Sequence, residues 1–387
     1  MQRHNTVVLG ASGLVAQRMQ QRLANHPWFV LSAVVGSERT AGRPLSSIPW
    51  KLSEPRPNLP QVTVLSGLEK NLIEQLVELN VTVAFSCLPA DVADPLELHL
   101  SKAGIAVFSN ASAFRRCDGV PLVIPDVNPD HMSQFGTGGH MLACATNCTL
   151  IPLAVPVAAL AATFGVEGIQ MNSEQALSGG GYDLLLDDGA QKGHHSNEIV
   201  GEAHKTGAEL LHVLGVAHDC GRRPEEGNKI HQRHEAFEGC SSHVAAVDLE
   251  LDITCKRVTR NDGHQVFVTV TLQRPAEIEE VQSCFEEHSF PERLQASPSA
   301  PSRSIQVVGC IDPLLHLWAD GERFAQAPNP SNDLKAGMAI VLGSLEMLDL
   351  QTVRFSAYSH NTVRGAAGGT MLLAEQAYIE ERLPKQQ

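Results

Sequence analysis

The segment Val7-Val8-Leu9-Gly10-Ala11-Ser12-Gly13-Leu14-Val15-Ala16 runs from an apolar strand through two glycines into a helix-patterned stretch. No other part of the chain constrains the fold as strongly. A buried strand that turns straight into a helix commits the chain to a layered α/β arrangement. Gly10 suits the tight turn, Gly13 lets the backbone approach a pyrophosphate, and the small Ala16 lets helix and strand pack closely. The helix N-terminus then faces the anion with its unpaired N–H groups. The spacing is GxxGxxA rather than GxGxxG, so the reading rests on context: the motif follows the first strand and opens the first helix. Gly10, Ser12, Gly13 and Leu14 are the candidate contacts to a dinucleotide.

The surrounding pattern extends this reading. Thr6–Leu9, Phe29–Val35, Val81–Ser86 and Ala106–Ser109 read as strands, Gly13–Ala24 and Leu68–Leu79 as helices, and Gly42–Pro60 as a loop. Strands separated by helices predict a parallel sheet with right-handed crossovers. The 387 residues suit two domains. Beyond Cys148 the character changes. Val244–Thr254 and Gln265–Leu272 alternate with period two, and the Asn261-Asp262-Gly263 turn suggests that they are antiparallel partners in a mixed sheet. Pro291–Arg303 and Ala325–Asn332 read as surface segments. Gly337–Met347 and Gly365–Leu383 read as helices, the last one amphipathic and packed back on a sheet.

Charge excludes some partners. The 29 basic and 43 acidic residues leave a formal charge of −14, so neither nucleic acid nor anionic lipid is an expected partner. An anionic ligand must be held by local cations. No run reaches the ~18–20 apolar residues of a membrane span, and the polar Gln2–Thr6 does not resemble a signal peptide. A cytoplasmic location is expected. The nine cysteines, without a CxxC pair, read as reduced thiols. Cofactor choice is expected just after the second strand, in Gly36-Ser37-Glu38-Arg39-Thr40. Ser37, Arg39 and Thr40 suit the 2′-phosphate of NADP, whereas Glu38 would suit the ribose hydroxyl of NAD; Arg39 between two hydroxyls favours NADP.

Most cysteines, including Cys87, Cys144, Cys255 and Cys310, are expected to be buried and inert. Cys148 differs. In Ala145-Thr146-Asn147-Cys148-Thr149 it precedes an apolar helix-patterned run, where the dipole would favour thiolate. Pro152 fits a first turn, and Pro156 implies a kink or break. His264, delivered by the Gly263 turn to the start of a strand, is the candidate base among seventeen histidines. His231 and His234 form an HxxH pair without the spacing of a metal site, so no metal is expected.

Several separated segments then agree at once. GASGLVA at 10–16, GSERTAGR at 36–43, FSCLPADVAD at 85–94 and SNASAFRRCDGVPLVIPDVNPDH at 109–131 lead to ATNCT at 145–149. QALSGGGY at 175–182, Glu202 and Lys205 in an ExxK pattern, RVTRNDGH at 257–264 and HNTVRGAAGG at 360–369 follow. In these segments the chain resembles the aspartate-semialdehyde dehydrogenases, more the archaeal and fungal type than the common bacterial one. The resemblance implies a Rossmann-type dinucleotide-binding domain at 1–147, completed by the C-terminal helix at 365–387. It also implies an α/β catalytic and dimerisation domain at 148–364, with a mixed, largely antiparallel sheet. Cys148 would be the nucleophile, His264 the acid/base catalyst, and Gln175 would position the thiol-bound intermediate. Arg257 would bind the substrate carboxylate and Glu202 its ammonium group. Arg115 and Lys205 would bind phosphate, and Asn361 would contact the nicotinamide end of NADP. The implied reaction is reductive dephosphorylation of aspartyl phosphate to the semialdehyde through a Cys148 thioester, with release of inorganic phosphate. The implied assembly is a homodimer or homotetramer.

The departures from the family pattern fall mainly in loops, where specificity often lives. Asp183–Asp188 is a shortened segment, His218–Ser242 reads as an insertion, and Ile311–Asn332 lacks the family's Arg-Pro-Gln-Pro-Arg element. Glu174 would place a carboxylate next to Gln175, close to the nucleophile. A paralogue acting on a related acyl phosphate, or on an acyl thioester as malonyl-CoA reductases do, is the alternative. N-acetyl-glutamyl-phosphate reductases are more distant. A non-catalytic, cofactor-binding regulatory module is disfavoured because Cys148, Arg257 and His264 are all intact.

Overall fold

The computed structural model describes residues 3–218 and 243–385. Apolar, β-branched runs build two six-stranded sheets. The first contains β1 (His4–Leu9), β2 (Phe29–Gly36), β3 (Leu65–Ser66), β4 (Val81–Ser86), β5 (Ala106–Ser109) and β6 (Leu142–Cys144). Its strand order is β3-β2-β1-β4-β5-β6, and all its strands run parallel. Every residue of β4 and β5 is buried, as apolar runs must be when both faces of a sheet are covered. The order reverses between β1 and β4. In open parallel sheets the crevice at the carboxyl ends beside such a reversal takes ligands. The Gly10 turn stands at that crevice.

The short strands β8 (Val216–His218) and β9 (His243–Ala245) pair with each other apart from the main sheets. The second large sheet contains β7 (Val166–Gln175), β10 (Glu250–Arg257), β11 (His264–Leu272), β12 (Ile305–Val307), β13 (Ile340–Asp349) and β14 (Thr352–Ser359). Its order is β10-β7-β11-β14-β13-β12. The Ile151–Phe164 helix packs its apolar side chains on one face of this sheet. On the other face Glu250, Asp252, Thr254 and Lys256 of β10 are exposed, and Phe267 of β11 is open to solvent.

Several expectations are corrected here. β10 and β11 run in opposite directions but are not partners, because β7 lies between them, parallel to β10 and antiparallel to β11. Alternation reports a half-solvated strand and says nothing of its neighbour. Val244–Thr254 is also split between β9 and β10. Gly337–Met347 holds the start of β13 rather than a helix, since a short apolar run such as Ala339–Leu342 fits a buried strand equally well. Pro156 does not break its helix, which continues from Ile151 to Phe164. Pro291–Arg303 is not a surface segment throughout, for Leu294, Ser297, Ser299 and Ala300 are buried. Cys310 is exposed rather than buried. His231 and His234 and nearly all of the His218–Ser242 stretch lie outside the described residues.

The C-terminal helix, Gly368–Ile379, follows a single π turn at Val363–Ala367. It is buried on nearly all sides rather than amphipathic. Ala367, Met371, Leu373, Ala374 and Ala377 join Val8, Met19, Phe29, Phe85 and Phe108 in one apolar cluster, so the last residues of the chain finish the layer begun by the first. Glu375 anchors this closure. Its Oε1 accepts from His26 Nε2 at 2.9 Å, and its Oε2 accepts from the Ser299 backbone N–H at 3.1 Å. His26 Nδ1 accepts from the backbone N–H groups of Trp28 and Phe29, which leaves its proton on Nε2, toward Glu375. Replacing Glu375 by Ala strands two buried donors and should cost about 3 kcal/mol. Urea unfolding of Glu375→Ala measures this; a loss below about 1 kcal/mol would show that the anchor is dispensable.

Candidate active site

Cys148 lies in the turn between β6 and the Ile151–Phe164 helix. Two bonds shape this turn. Asn147 Oδ1 accepts from the Leu150 backbone N–H at 2.9 Å, and Glu209 Oε2 accepts from the Asn147 backbone N–H at 2.7 Å. The Cys148 Sγ then stands 3.2 Å from His264 Nε2. His264 is the first residue of β11 and is fully buried. The preceding Gly263 has φ of +89°, and a Cβ there would fall within 2 Å of the Tyr358 hydroxyl, so only glycine fits.

The second nitrogen of His264 is fixed by backbone. The N–H of Ala176 donates to Nδ1 at 3.1 Å, so the neutral ring carries its proton on Nε2 and faces Sγ as a donor. Proton acceptance at Nε2 would require Nδ1 to give up that bond. Burial disfavours charge on both partners. The thiol is pushed up, against the expectation of a dipole-favoured thiolate, by desolvation first and the Glu202 carboxylate second. Arg115 and Arg257 oppose that rise. The imidazole is pushed down to about 3 by desolvation and by Arg257 and Arg260. The resting pair is therefore neutral.

The expected substrate-binding groups surround this pair unevenly. Arg257 ends β10 in register with Gln175 at the end of β7. Its Nη1 donates to the Ala176 carbonyl at 2.7 Å. A Cβ on Gly179 would meet both Arg257 and His264, so that glycine permits their approach. Gln175 is buried, with Nε2 3.4 Å from Ser173 Oγ. Glu202 opens the Glu202–Val213 helix and accepts from Thr149 Oγ1 at 3.4 Å. Arg115 pairs with Glu209 at 3.2 Å and donates to the Asn110 carbonyl at 2.7 Å. Lys205 is exposed on the same helix as Glu202. Glu174 does not approach the nucleophile, because it alternates with Gln175 along β7 and pairs with Lys256 at 3.1 Å and with Arg260.

The glycine turn has the form a pyrophosphate needs. Gly10 has φ of +108°, and its N–H is held by the Val35 carbonyl at 2.8 Å. Gly13 caps the Leu14–Leu23 helix, and a Cβ there would meet nothing within 4 Å. Ser12 is exposed and Leu14 buried. Ser37 and Arg39 are exposed. Thr40 is buried and spends its hydroxyl on the Ser37 carbonyl at 3.2 Å, so it shapes this loop more than it offers a donor. Asn361 is likewise engaged: its Oδ1 accepts from the Gly263 N–H at 2.7 Å and its Nδ2 donates to Ser178 Oγ at 2.9 Å. Among the described residues no group of three or more metal-ligating side chains occurs, and no helix is long and apolar enough to cross a membrane.

Sequence reasoning missed three participants. Gly365 sits directly on Cys148, where a Cβ would come 2.7 Å from Cys148 Cβ. The neighbouring Arg364 is buried in an ion pair with Asp126, which ties the π turn to the first sheet's side of the molecule. Glu209 shares a helix with Glu202, two turns later, and that spacing was its only signal. Single π turns often mark functional sites. Gly365→Ala should displace Cys148 and lower kcat about 100-fold or more, while dinucleotide affinity measured by fluorescence stays unchanged. Unaltered kcat would show that the contact yields without moving the thiol.

Comparison with known proteins places the chain in a family. Residues 5–135 match the family model "Semialdehyde dehydrogenase, NAD binding domain". The chain is 32% identical to an aspartate-semialdehyde dehydrogenase of Aspergillus fumigatus, covering 96% of each chain. It is 31% identical to that of Archaeoglobus fulgidus, covering 98% of this chain and 99% of the relative. A malonyl CoA reductase (NADP) of Metallosphaera sedula is 27% identical over 97% of this chain and 98% of its own. The crystal structure of the Candida albicans aspartate-semialdehyde dehydrogenase with NADP superposes with a TM-score of 0.73 at 28% identity, covering 98% and 99% of the two chains. The chain belongs to the aspartate-semialdehyde dehydrogenase family, an enzyme family of oxidoreductases.

Proposed function

We propose that this enzyme converts aspartyl phosphate to aspartate semialdehyde with NADP as the redox partner. The observation that carries the reading is the 3.2 Å contact between Cys148 Sγ and His264 Nε2, in the field of Arg115 and Arg257. The cofactor would lie along Gly10, Ser12, Gly13 and Leu14, with Ser37 and Arg39 toward its 2′-phosphate. Bound there, it supplies or accepts a hydride. Residues 1–147 and 365–387 would thus serve the cofactor, and 148–364 the substrate and the pairing of chains.

In the reductive direction His264, shifted to its Nδ1–H tautomer with loss of the Ala176 bond, takes the Cys148 proton on Nε2; the thiolate then attacks the acyl carbon, and phosphate leaves with the bonding electrons toward Arg115 and Lys205. Arg257 holds the substrate carboxylate and Glu202 its ammonium group, while Gln175 borders the thioester. After hydride addition, the tetrahedral oxyanion collapses and expels Sγ, which regenerates the thiolate and releases aldehyde. His264 Nε2–H serves as hydrogen-bond donor to that oxyanion and to the returning thiolate. Donors fixed before charge develops are worth ~10²–10³ in rate. Because burial favours the neutral thiol, the two guanidiniums must carry most of the thiolate's stabilisation.

In the oxidative assay, NADP reduction by aspartate semialdehyde should depend on inorganic phosphate, and Cys148→Ala should abolish it while Cys148→Ser leaves a trace. Turnover that survives Cys148→Ala would overturn the mechanism, and turnover that needs CoA but not phosphate would assign an acyl-thioester substrate instead. Arg39→Ala should raise the Kd for NADP at least tenfold and leave that for NAD within about twofold, since only one of them carries the extra dianion. Equal losses would remove Arg39 from the 2′-phosphate site.

A further inference from the structure

We infer that Glu209 is a positioning residue that couples the phosphate-binding arginine to the nucleophile turn; this rests on the phosphate-dependent reading above. Glu209 is one of the most buried carboxylates of the chain, 2% exposed, and it uses both oxygens on the machinery. Oε1 pairs with Arg115 Nη1 at 3.2 Å and Oε2 accepts from the backbone N–H of Asn147 at 2.7 Å. Asn147 immediately precedes Cys148. Arg115 comes from the loop after β5, Asn147 from the loop after β6, and Glu209 from the Glu202–Val213 helix, so one carboxylate joins three separate segments.

The arrangement has a direct consequence. The Asn110 carbonyl and Glu209 grip the guanidinium of Arg115 from two sides, which fixes its plane. A planar guanidinium recognises phosphate through oriented paired donors, so its orientation decides affinity as much as its charge does. The same carboxylate fixes the backbone that aims Sγ. Glu209 lies seven positions after Glu202 and four after Lys205, on the face of the helix directed at the site. Its helix therefore delivers the substrate ammonium partner, a phosphate partner and the fastener between them.

Glu209→Gln preserves shape and an acceptor for Asn147 but turns an amide toward Arg115. In the oxidative assay it should raise the KM for phosphate about tenfold or more, with the KM for aspartate semialdehyde within about twofold and kcat reduced less than the phosphate KM is raised. Because Glu209 acts through Arg115, the effect should vanish in the background of Arg115→Gln; a structural role would lower activity additively in both backgrounds. Glu209→Asp, one methylene shorter, should fail to restore the phosphate KM. An unchanged phosphate KM in Glu209→Gln, or full additivity with Arg115→Gln, overturns the proposal. If the unaltered enzyme turns over without phosphate, the functional reading itself fails and takes this one with it, whereas a phosphate-dependent enzyme indifferent to Glu209→Gln sinks the positioning role alone.

Discussion

The packing of the Val363–Ala367 π turn against Cys148 is the contact on which the rest of the molecule depends. Gly365 approaches the thiol-bearing residue so closely that a methyl group would not fit. This places the end of the chain against its middle. The following helix then runs back into the first sheet and finishes its apolar layer with Met371, Leu373 and Ala374. Buried pairs secure both ends of that path, Arg364 with Asp126 and His26 with Glu375. Such pairs add little net stability over apolar packing, but removing one partner strands a buried charge or donor. They act as registration points: they leave few other ways for the C-terminal segment to sit.

Around that contact the site is assembled from strand ends. β7, β10 and β11 deliver Gln175, Arg257 and His264 to one edge of the second sheet, and the crevice of the first sheet opens nearby at Gly10. Short-range backbone bonds do the aiming. Ala176 N–H selects the His264 tautomer, the Gly263 turn sets the ring at the start of its strand, and Asn361 holds that turn from the far side. The electrostatics follow from enclosure. Desolvation holds thiol and imidazole neutral in the resting state, so in the proposed mechanism the charge needed for attack would be supported by guanidiniums that the fold brings in from elsewhere. In a chain of net charge −14, this local gathering of Arg115 and Arg257 is the exception that the proposed anionic substrate would require.

Much of the candidate site was legible early because its motifs recur together. Cys148 in its ATNCT context, the glycine-delivered His264, and Arg257 seven positions before it are weak signals singly and gain weight only through one another and the family resemblance. Glu174 shows the opposite case: beside Gln175 in the chain, it points to the other face of β7 and pairs with Lys256, as the period of two requires. Lys205 stays exposed and Asn361 spends both ends of its amide within the protein, so the same motif letters bear different relations to the site. Gly365 and Glu209 were invisible as participants because their importance lies in what they touch.

By itself, the order of residues determined the local events: a strand–glycine–helix turn, parallel α/β layering in the first 145 residues, a thiol ahead of a helix and a histidine after a turn glycine. Those depend on backbone sterics and side-chain periodicity over a few residues. Only the tertiary structure decided that β7 separates β10 from β11, that Gly337–Met347 carries a strand, and that the thiol rests neutral rather than ionised. It also decided that Glu209 binds both Arg115 and the turn of Cys148. Strand neighbours, burial and desolvation are set by residues about ninety positions apart or more meeting in space, and local pattern carries no record of which distant segment will fill the other side.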